Sequence, residues 1–355
     1  MDADGPVLEE WRERIAEAAR TGVPLRLRGA GTKDFYGEGL AGEPLDLRAW
    51  RGIVDYEPSE LVISVRCGTP LSEVDAALAA HGQFLAFEPP GFGGDPTLGG
   101  VIAAGLSGPR RMFAGAARDF VLGTRLLTAQ GELLRFGGQV MKNVAGFDVS
   151  RLLCGSLGIL GVITEVSVKV LPRPRLEETL SLELSAAEAV AAFNRWAALP
   201  LPLSGAAWSQ GRAWLRLSGA PAAVRAARQL IGGDLIAASL AEEFWNALRH
   251  CQLPIFAAKG LWRLAVPPAT PPLALPGEPL IDWGGALRWY ADVGAEVAVR
   301  ELVQASAGTA LRWRGASPAS RFHPLPAATA SLHRRLKQRF DPAGIFNRGR
   351  LIAGL

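Results

Sequence analysis

The sequence is poor in the residues that build disulfide frameworks and metal centres. It has three cysteines, Cys67, Cys154 and Cys251, and four histidines in 355 residues. An odd number of widely spaced thiols makes no disulfide framework. Three cannot hold an iron–sulfur cluster, which takes about four thiolates at tight spacing. They read as buried free thiols. No HExxH and no close histidine pair occurs, so a metal site has little support. Long apolar runs are missing too. No uninterrupted stretch reaches the roughly 18 residues of a spanning helix. The longest candidate, 152–172, is broken by Ser156, Thr164, Glu165 and Lys169. The start, "MDADGPVLEEWRERIAEAAR", lacks the basic opening and apolar stretch of a signal peptide. A cytoplasmic protein is expected, one able to sit at a membrane through a partner. Excess charge is also small. The net +4 comes from scattered arginines, which suits a solvated surface better than a nucleic-acid groove.

What remains is a globular composition, 49% hydrophobic and 20% charged. The length allows one large domain or two to three ordinary ones. Residues 7–20 read as an amphipathic helix and 24–28 as a short strand. "ELVISVRCG" (60–68) reads as a strand closed by glycine, and "LSEVDAALAAHG" (71–82) as a helix. The alternation marks an α/β unit. "FVLGTRLLTAQGELLRFGG" (120–138) reads as strand, turn at Gln130-Gly131, and strand. Strict alternation from Thr164 to Val170 ends at Pro172 and Pro174, which puts a domain boundary near 175. Beyond it, strand 177–184, helix 186–197, strands 203–209 and 212–218 and helix 220–231 give a β-α-β-β-α order. That order points to a ferredoxin-like, antiparallel α+β half. A second round follows in 261–266, 280–291, a helix over 294–306, and 309–315; the proline-rich 267–279 is a loop. Eight of ten tryptophans lie at 196 or later, and such a sheet face is expected to be core or interface. A basic helix and a turn-rich tail fill 332–351.

Three glycine-rich stretches punctuate the first 175 residues: 29–31, 91–108 and 155–161. Bare backbone lets a ligand approach N–H groups, and a diphosphate needs such donors. Arg28 and Lys33 add charge beside the first stretch. The dinucleotide fingerprint GxGxxG would need glycine at 34, where the chain has Asp34, and GxxxxGK[ST] is absent. Singly these glycines are turns as readily as binding loops. Together, with Thr32 and Thr97 among them, they favour a dinucleotide wrapped by several loops.

The runs "RGAGTKDFYG", "PTLGGVIAAGLSGPRR", "DFVLGTRLLTAQGELLRFGGQVMKNVAGFDVSRLLCGSLGILGVITEVSVKVLPRP" and "FDPAGIFNRGRL" resemble flavoproteins of the vanillyl-alcohol-oxidase type, with a PCMH-type FAD-binding domain. "RGIVDYEPSELVISVRCGTPL" and "GEPLIDWGGALRWYADVGAE" resemble, more narrowly, the FAD-binding subunits of glycolate oxidase. The resemblance covers nearly the whole chain. It implies an α+β fold: a two-lobed FAD-binding domain (1–175), a ferredoxin-like antiparallel domain (176–325), and a helix and tail (326–355) returning to the first domain.

For the cofactor, FAD, the resemblance implies the following sites. Gly29, Ala30, Gly31 and Thr32 face the diphosphate, and Thr97, Leu98, Gly99 and Gly100 form a second phosphate-facing turn. Ala103, Gly105, Ser107 and Gly108 run beside the ribityl chain and flavin ring. Gly158, Gly161, Val162 and Ile163 line the adenosine end. Each glycine also has a plain reading as turn or packing. Attachment is expected to be noncovalent, because Gly31-Thr32-Lys33 stands where many relatives carry a flavin-linked histidine. The histidine-rich motif of catalytic relatives, HxGDGNxH, is absent. Three readings therefore stay open. One is an FAD-binding subunit of a complex with a second flavoprotein subunit and an iron–sulfur subunit, acting on glycolate and peripheral at the inner membrane through them. The others are a self-sufficient 2-hydroxy-acid dehydrogenase and a flavin-free scaffold. His250 reads as a helix C-terminal dipole contact, and His323 and His333 as surface residues flanking the last helix. Arg110, Arg111 and Arg118 read as an anchor for phosphate or partner, or as an exposed salt-bridged face. Asp119, Lys142, Asn143 and Asp148 read as scaffold or flavin-site residues.

Overall fold

Leu8, Trp11, Ile15 and Ala18 recur every three or four residues and are all buried, so 6–21 form an amphipathic helix, Pro6–Thr21. Pro6 suits its first turn, and Gly22 ends it with φ 75°. The computed structural model describes residues 5–138, 147–316 and 320–352; Lys142 and Asn143 lie outside them. The helix packs on parallel strands Leu25–Arg28 and Glu43–Asp46. Phe346, from the far end of the chain, bridges to Leu25 beside them.

A five-stranded antiparallel sheet forms the second lobe, in the order Ile53–Glu57, Val62–Arg66, Val162–Lys169, Val121–Leu127, Leu133–Gly137. Its middle strand, Val162–Lys169, is buried on both faces: Val166 and Val168 join Val101 and Ile102 of helix Leu98–Ala104 in one core, while Val162 packs with Trp11 in another.

The chain then enters an eight-stranded antiparallel sheet. Its first half runs Leu176–Glu183, helix Ala186–Ala197, Leu203–Ser209, Arg212–Gly219, helix Pro221–Ile231, Asp234–Leu235. The strands lie side by side in the order fourth, first, third, second, the ferredoxin-like arrangement. The two-residue Asp234–Leu235 completes it, a strand too short and exposed to read from the sequence. The second half, Leu280–Asp282, Leu287–Ala291, Leu261–Ala265 and Thr309–Arg314, joins through one pair, Trp208 and Ile281. Residues 280–291 are thus two strands paired with each other. The turn between them needs φ 63° at Gly284 and 106° at Gly285, backbone that glycine alone adopts without strain. The tryptophans are core: Trp245, Trp283, Trp289 and Trp313 pack with Leu106 and Leu157 from the N-terminal half of the chain. Among the described residues no helix is long and apolar enough to cross a membrane, and no cluster of three metal-ligating side chains occurs.

Candidate cofactor site

At the end of strand Leu25–Arg28 the chain turns through Gly29–Lys33 and walls a cleft that opens to solvent. Gly31 takes φ 75° here. A Cβ on Gly29 would overlap the Thr97 hydroxyl, and one on Gly31 would overlap the Arg28 guanidinium. The two loops and the Arg28 side chain meet only because these positions are bare. Among the described residues, the amides of Ala30, Gly31, Thr32 and Lys33 have no acceptor. Four neighbouring donors opening on one cleft suit a diphosphate. Arg28 leans over the loop, 3.1 Å from Asp34. Burial lowers the Lys33 ammonium to a pKa of about 8.

The second glycine turn is different. The amides of Leu98 and Gly99 are already taken by Thr69 O and Cys67 O, at 2.9 Å each. Gly100 makes only a long bond, 3.3 Å, to Thr97 Oγ1. This turn therefore offers Thr97 and Gly100, while the Leu98 side chain is sealed in the core. Ala103, Gly158, Gly161 and Ile163 line the cleft; Val162 points away into the core around Trp11. Gly105, Ser107 and Gly108 lie further on. Gly105 and Ser107 line a separate, solvent-open cavity with Tyr36, Arg111, Arg263 and Trp283. Ser107 Oγ accepts the Ala117 amide, and Gly108 O accepts the Trp283 indole N–H.

Two residues of the C-terminal tail complete the cleft. Asn347 Oδ1 accepts from Leu27 N at 2.7 Å, and its Nδ2 donates to Leu157 O at 2.6 Å. Arg350 donates to the carbonyls of Lys33, Asp34 and Glu38. Lys337 holds the tail in place, with Nζ bonds to Ile159 O, Asp341 Oδ2 and Phe346 O. Sequence reading missed the roles of Asn347 and Arg350; the turn-rich "FNRGR" was the available signal.

Several expectations are corrected by geometry. Arg110 is not exposed, and it borders a second cleft beside Glu88, Glu177 and Arg216. It is buried with Arg216 against Glu88, at 3.2 and 2.9 Å, and reaches Glu177, on strand Leu176–Glu183 of the eight-stranded sheet, at 2.6 Å. Burial pushes the Glu88 carboxyl up, but Arg216 and Arg110 outweigh it and hold the group below its ordinary value. His250 is no cationic dipole contact. Its Nδ1 accepts the Gly91 amide at 3.0 Å, and burial beside Arg249 lowers it to about 4. His323 and His333 are half-buried, and His333 stands inside helix Ala327–Phe340. Their ring nitrogens bond Ala310 N and Thr329 O, while His81 packs edge-on to Tyr56. No histidine lines either cavity. Asp119 and Asp148 accept backbone amides at helix starts, a scaffold role. Burial pushes all three thiols up to about 12; Cys67, at the cleft wall, stays protonated.

These residues fit an adenine-dinucleotide flavin: bare backbone, open amides beside two cations, and a second cavity further along the same chain. A family model described as an FAD binding domain matches residues 8–137. The fold is shared with alkyldihydroxyacetonephosphate synthase, at a TM-score of 0.66 and 15% identity, over 96% of this chain and 75% of that one. Glycolate oxidase subunit GlcD of Bacillus subtilis (strain 168) is 34% identical over 162 residues, 44% of this chain and 34% of the relative. Glycolate oxidase subunit GlcE of Escherichia coli (strain K12) is 47% identical over 344 residues, 97% of both chains. At that identity and coverage, the chain belongs to the GlcE family of glycolate oxidase subunits.

Proposed function

We propose that this chain is an FAD-binding subunit of a glycolate oxidase complex, taking part in oxidation of glycolate to glyoxylate. The open amides of Ala30–Lys33 on a glycine-walled cleft carry this reading. They, with the Thr32 hydroxyl, replace the water shell of the diphosphate. Gly29 gives the loop close contact with Thr97. Thr97 and Gly100 face the diphosphate from the other side; Leu98 and Gly99 shape that turn. Gly158, Gly161 and Ile163 receive the adenosine end, with Val162 anchoring the strand that carries Ile163. Ala103, Gly105, Ser107 and Gly108 lead to the ring end. Attachment is noncovalent, in keeping with a protonated Cys67 and no histidine at the first glycine turn.

A flavin held here would supply two-electron redox chemistry to the complex, and oxidation of the alcohol requires a hydride acceptor at the hydroxyl-bearing carbon. The hydroxyl proton needs a base. Every histidine here is committed to packing or a structural hydrogen bond, so we assign substrate oxidation, hydride and proton together, to a second flavoprotein subunit. Electrons then leave through an iron–sulfur subunit, and the complex works in the cytoplasm, peripheral at the inner membrane through its partners. We also propose the division into 1–175, 176–325 and 326–355. Flavin counting on the purified complex, subunit by subunit, tests the assignment. One FAD with this chain is expected; none, after reconstitution with excess FAD, overturns it. Bleaching of the isolated, loaded chain by glycolate without oxygen would move substrate oxidation into this subunit.

A further inference from the structure

The cleft that Arg110 borders is walled by helix Leu71–Ala79 on one side and helix Ala238–Arg249 on the other. It shares no lining residue with the glycine-walled cleft or with the cavity around Trp283. Glu88, Arg110 and Arg216 also line it, and their charges answer one another. Glu177 is held by Arg110, and Glu178 lies 3.4 Å from Arg228. Glu242 is exposed to water.

Three further charges in this cleft are not answered. Asp75, half-buried on the first helix, has no hydrogen bond or ion pair among the described residues. Arg249, half-buried at the end of the second helix, donates Nε to Pro89 O at 3.1 Å. Its two terminal nitrogens have no acceptor among the described residues. Arg173 lines the same cleft, and its guanidinium meets only the Phe84 ring, at 5.8 Å. Asp75 and Arg249 feel each other's charge, yet they stand beyond ion-pair distance. Burial pushes the Asp75 carboxyl up and the Arg249 guanidinium down from their ordinary values. Both groups therefore carry a desolvation cost that nothing in the chain offsets.

A ligand of one sign does not suit these walls. An anion drawn to Arg249 and Arg173 meets Asp75, and a cation drawn to Asp75 meets two guanidinium groups. A molecule with a charge of each sign satisfies both walls. Its ammonium donates to Asp75, and its carboxylate accepts from the Arg249 fork. Leu85, Leu176, Ile236 and Ala241 line the same cleft and give an apolar body a place to bury. We propose that Asp75, Arg249 and Arg173 form a binding site for a small zwitterion with an apolar body, an α-amino acid by chemical class, between these two helices. The site stands apart from the proposed cofactor and needs no flavin.

The test is calorimetric titration of the full chain at neutral pH with three probes. These are L-leucine, isocaproate, which lacks its ammonium, and isoamylamine, which lacks its carboxylate. L-leucine is expected to bind at least about tenfold more tightly than either, the effect of one charged hydrogen bond. Asp75→Asn weakens L-leucine at least about tenfold and tightens isocaproate, because the repelling carboxylate has gone. Arg249→Met weakens L-leucine and tightens isoamylamine. A residue with only a structural role would not give opposite signs for two ligands. Arg173→Met weakens L-leucine without reaching the effect of Arg249→Met. Flavin content, read from visible absorbance, stays at the wild-type level in every variant. The proposal is overturned if wild type binds no L-leucine at millimolar concentration, or if either half-charged probe binds wild type as tightly. It is also overturned if Asp75→Asn binds L-leucine as wild type does, or loses all three probes equally.

Discussion

Gly158→Ala probes the cleft wall at a position where the cost can be worked out. Gly158 holds φ 74°, a region that costs an L-residue about 1–2 kcal/mol. The new Cβ would lie 2.8 Å from Asn347 Nδ2 and 3.3 Å from Leu27 Cδ1. Asn347 must move, and its bonds to Leu27 N and Leu157 O, at 2.7 and 2.6 Å, go with it. At about 1 kcal/mol per lost bond, the total is about 3–4 kcal/mol. Gly155→Ala is the control. Gly155 has φ 85° but nothing within 4 Å of a new Cβ, so it carries only the backbone term, about 1–2 kcal/mol. Urea unfolding of the two apo variants should separate them by about 2 kcal/mol. FAD titration should show at least about a tenfold weaker Kd for Gly158→Ala, if 1.4 kcal/mol of the damage reaches the cleft. Equal destabilisation of the two variants, within about 0.5 kcal/mol, would refute the role given to Asn347.

Lys337→Met leaves the Asp341 carboxylate buried without its cation; a loss of about 3–5 kcal/mol is expected, read by urea unfolding, with weaker FAD binding because the tail is freed. His250 makes stability pH-dependent. Its folded pKa, about 4, lies below the ordinary 6.5, so its contribution is complete above pH 6.5 and is lost as pH falls towards 4. His250→Gln keeps an acceptor for Gly91 that does not titrate. The difference between wild-type and variant stability should thus be flat above pH 6.5 and turn against wild type below it. Asp282 titrates in the opposite sense in both proteins and cancels in that difference.

Local pattern made much of this fold legible. The spacing of Leu8, Trp11 and Ile15 writes the first helix, and the β-α-β-β-α order writes the ferredoxin-like half. Glycine clusters announce the cleft because absent side chains are visible in a sequence. What stays hidden is long-range pairing. "PRR" looks like surface, yet Arg110 is buried because Glu88, Glu177 and Arg216 come to it from distant stretches of the chain. The amides of Leu98 and Gly99 look as free as those of Ala30–Lys33, and only the fold brings Thr69 O and Cys67 O onto them. Asn347 reaches Leu27 across 320 positions, a distance no periodicity reports.

The most direct measurement is the position of the diphosphate in a crystal structure of the flavin-loaded chain. Its oxygens should lie within about 3 Å of the amides of Ala30, Gly31, Thr32 or Lys33, with Thr97 and Gly100 across the cleft. A diphosphate bound away from that loop would contradict the assignment of the site, and the role built on it.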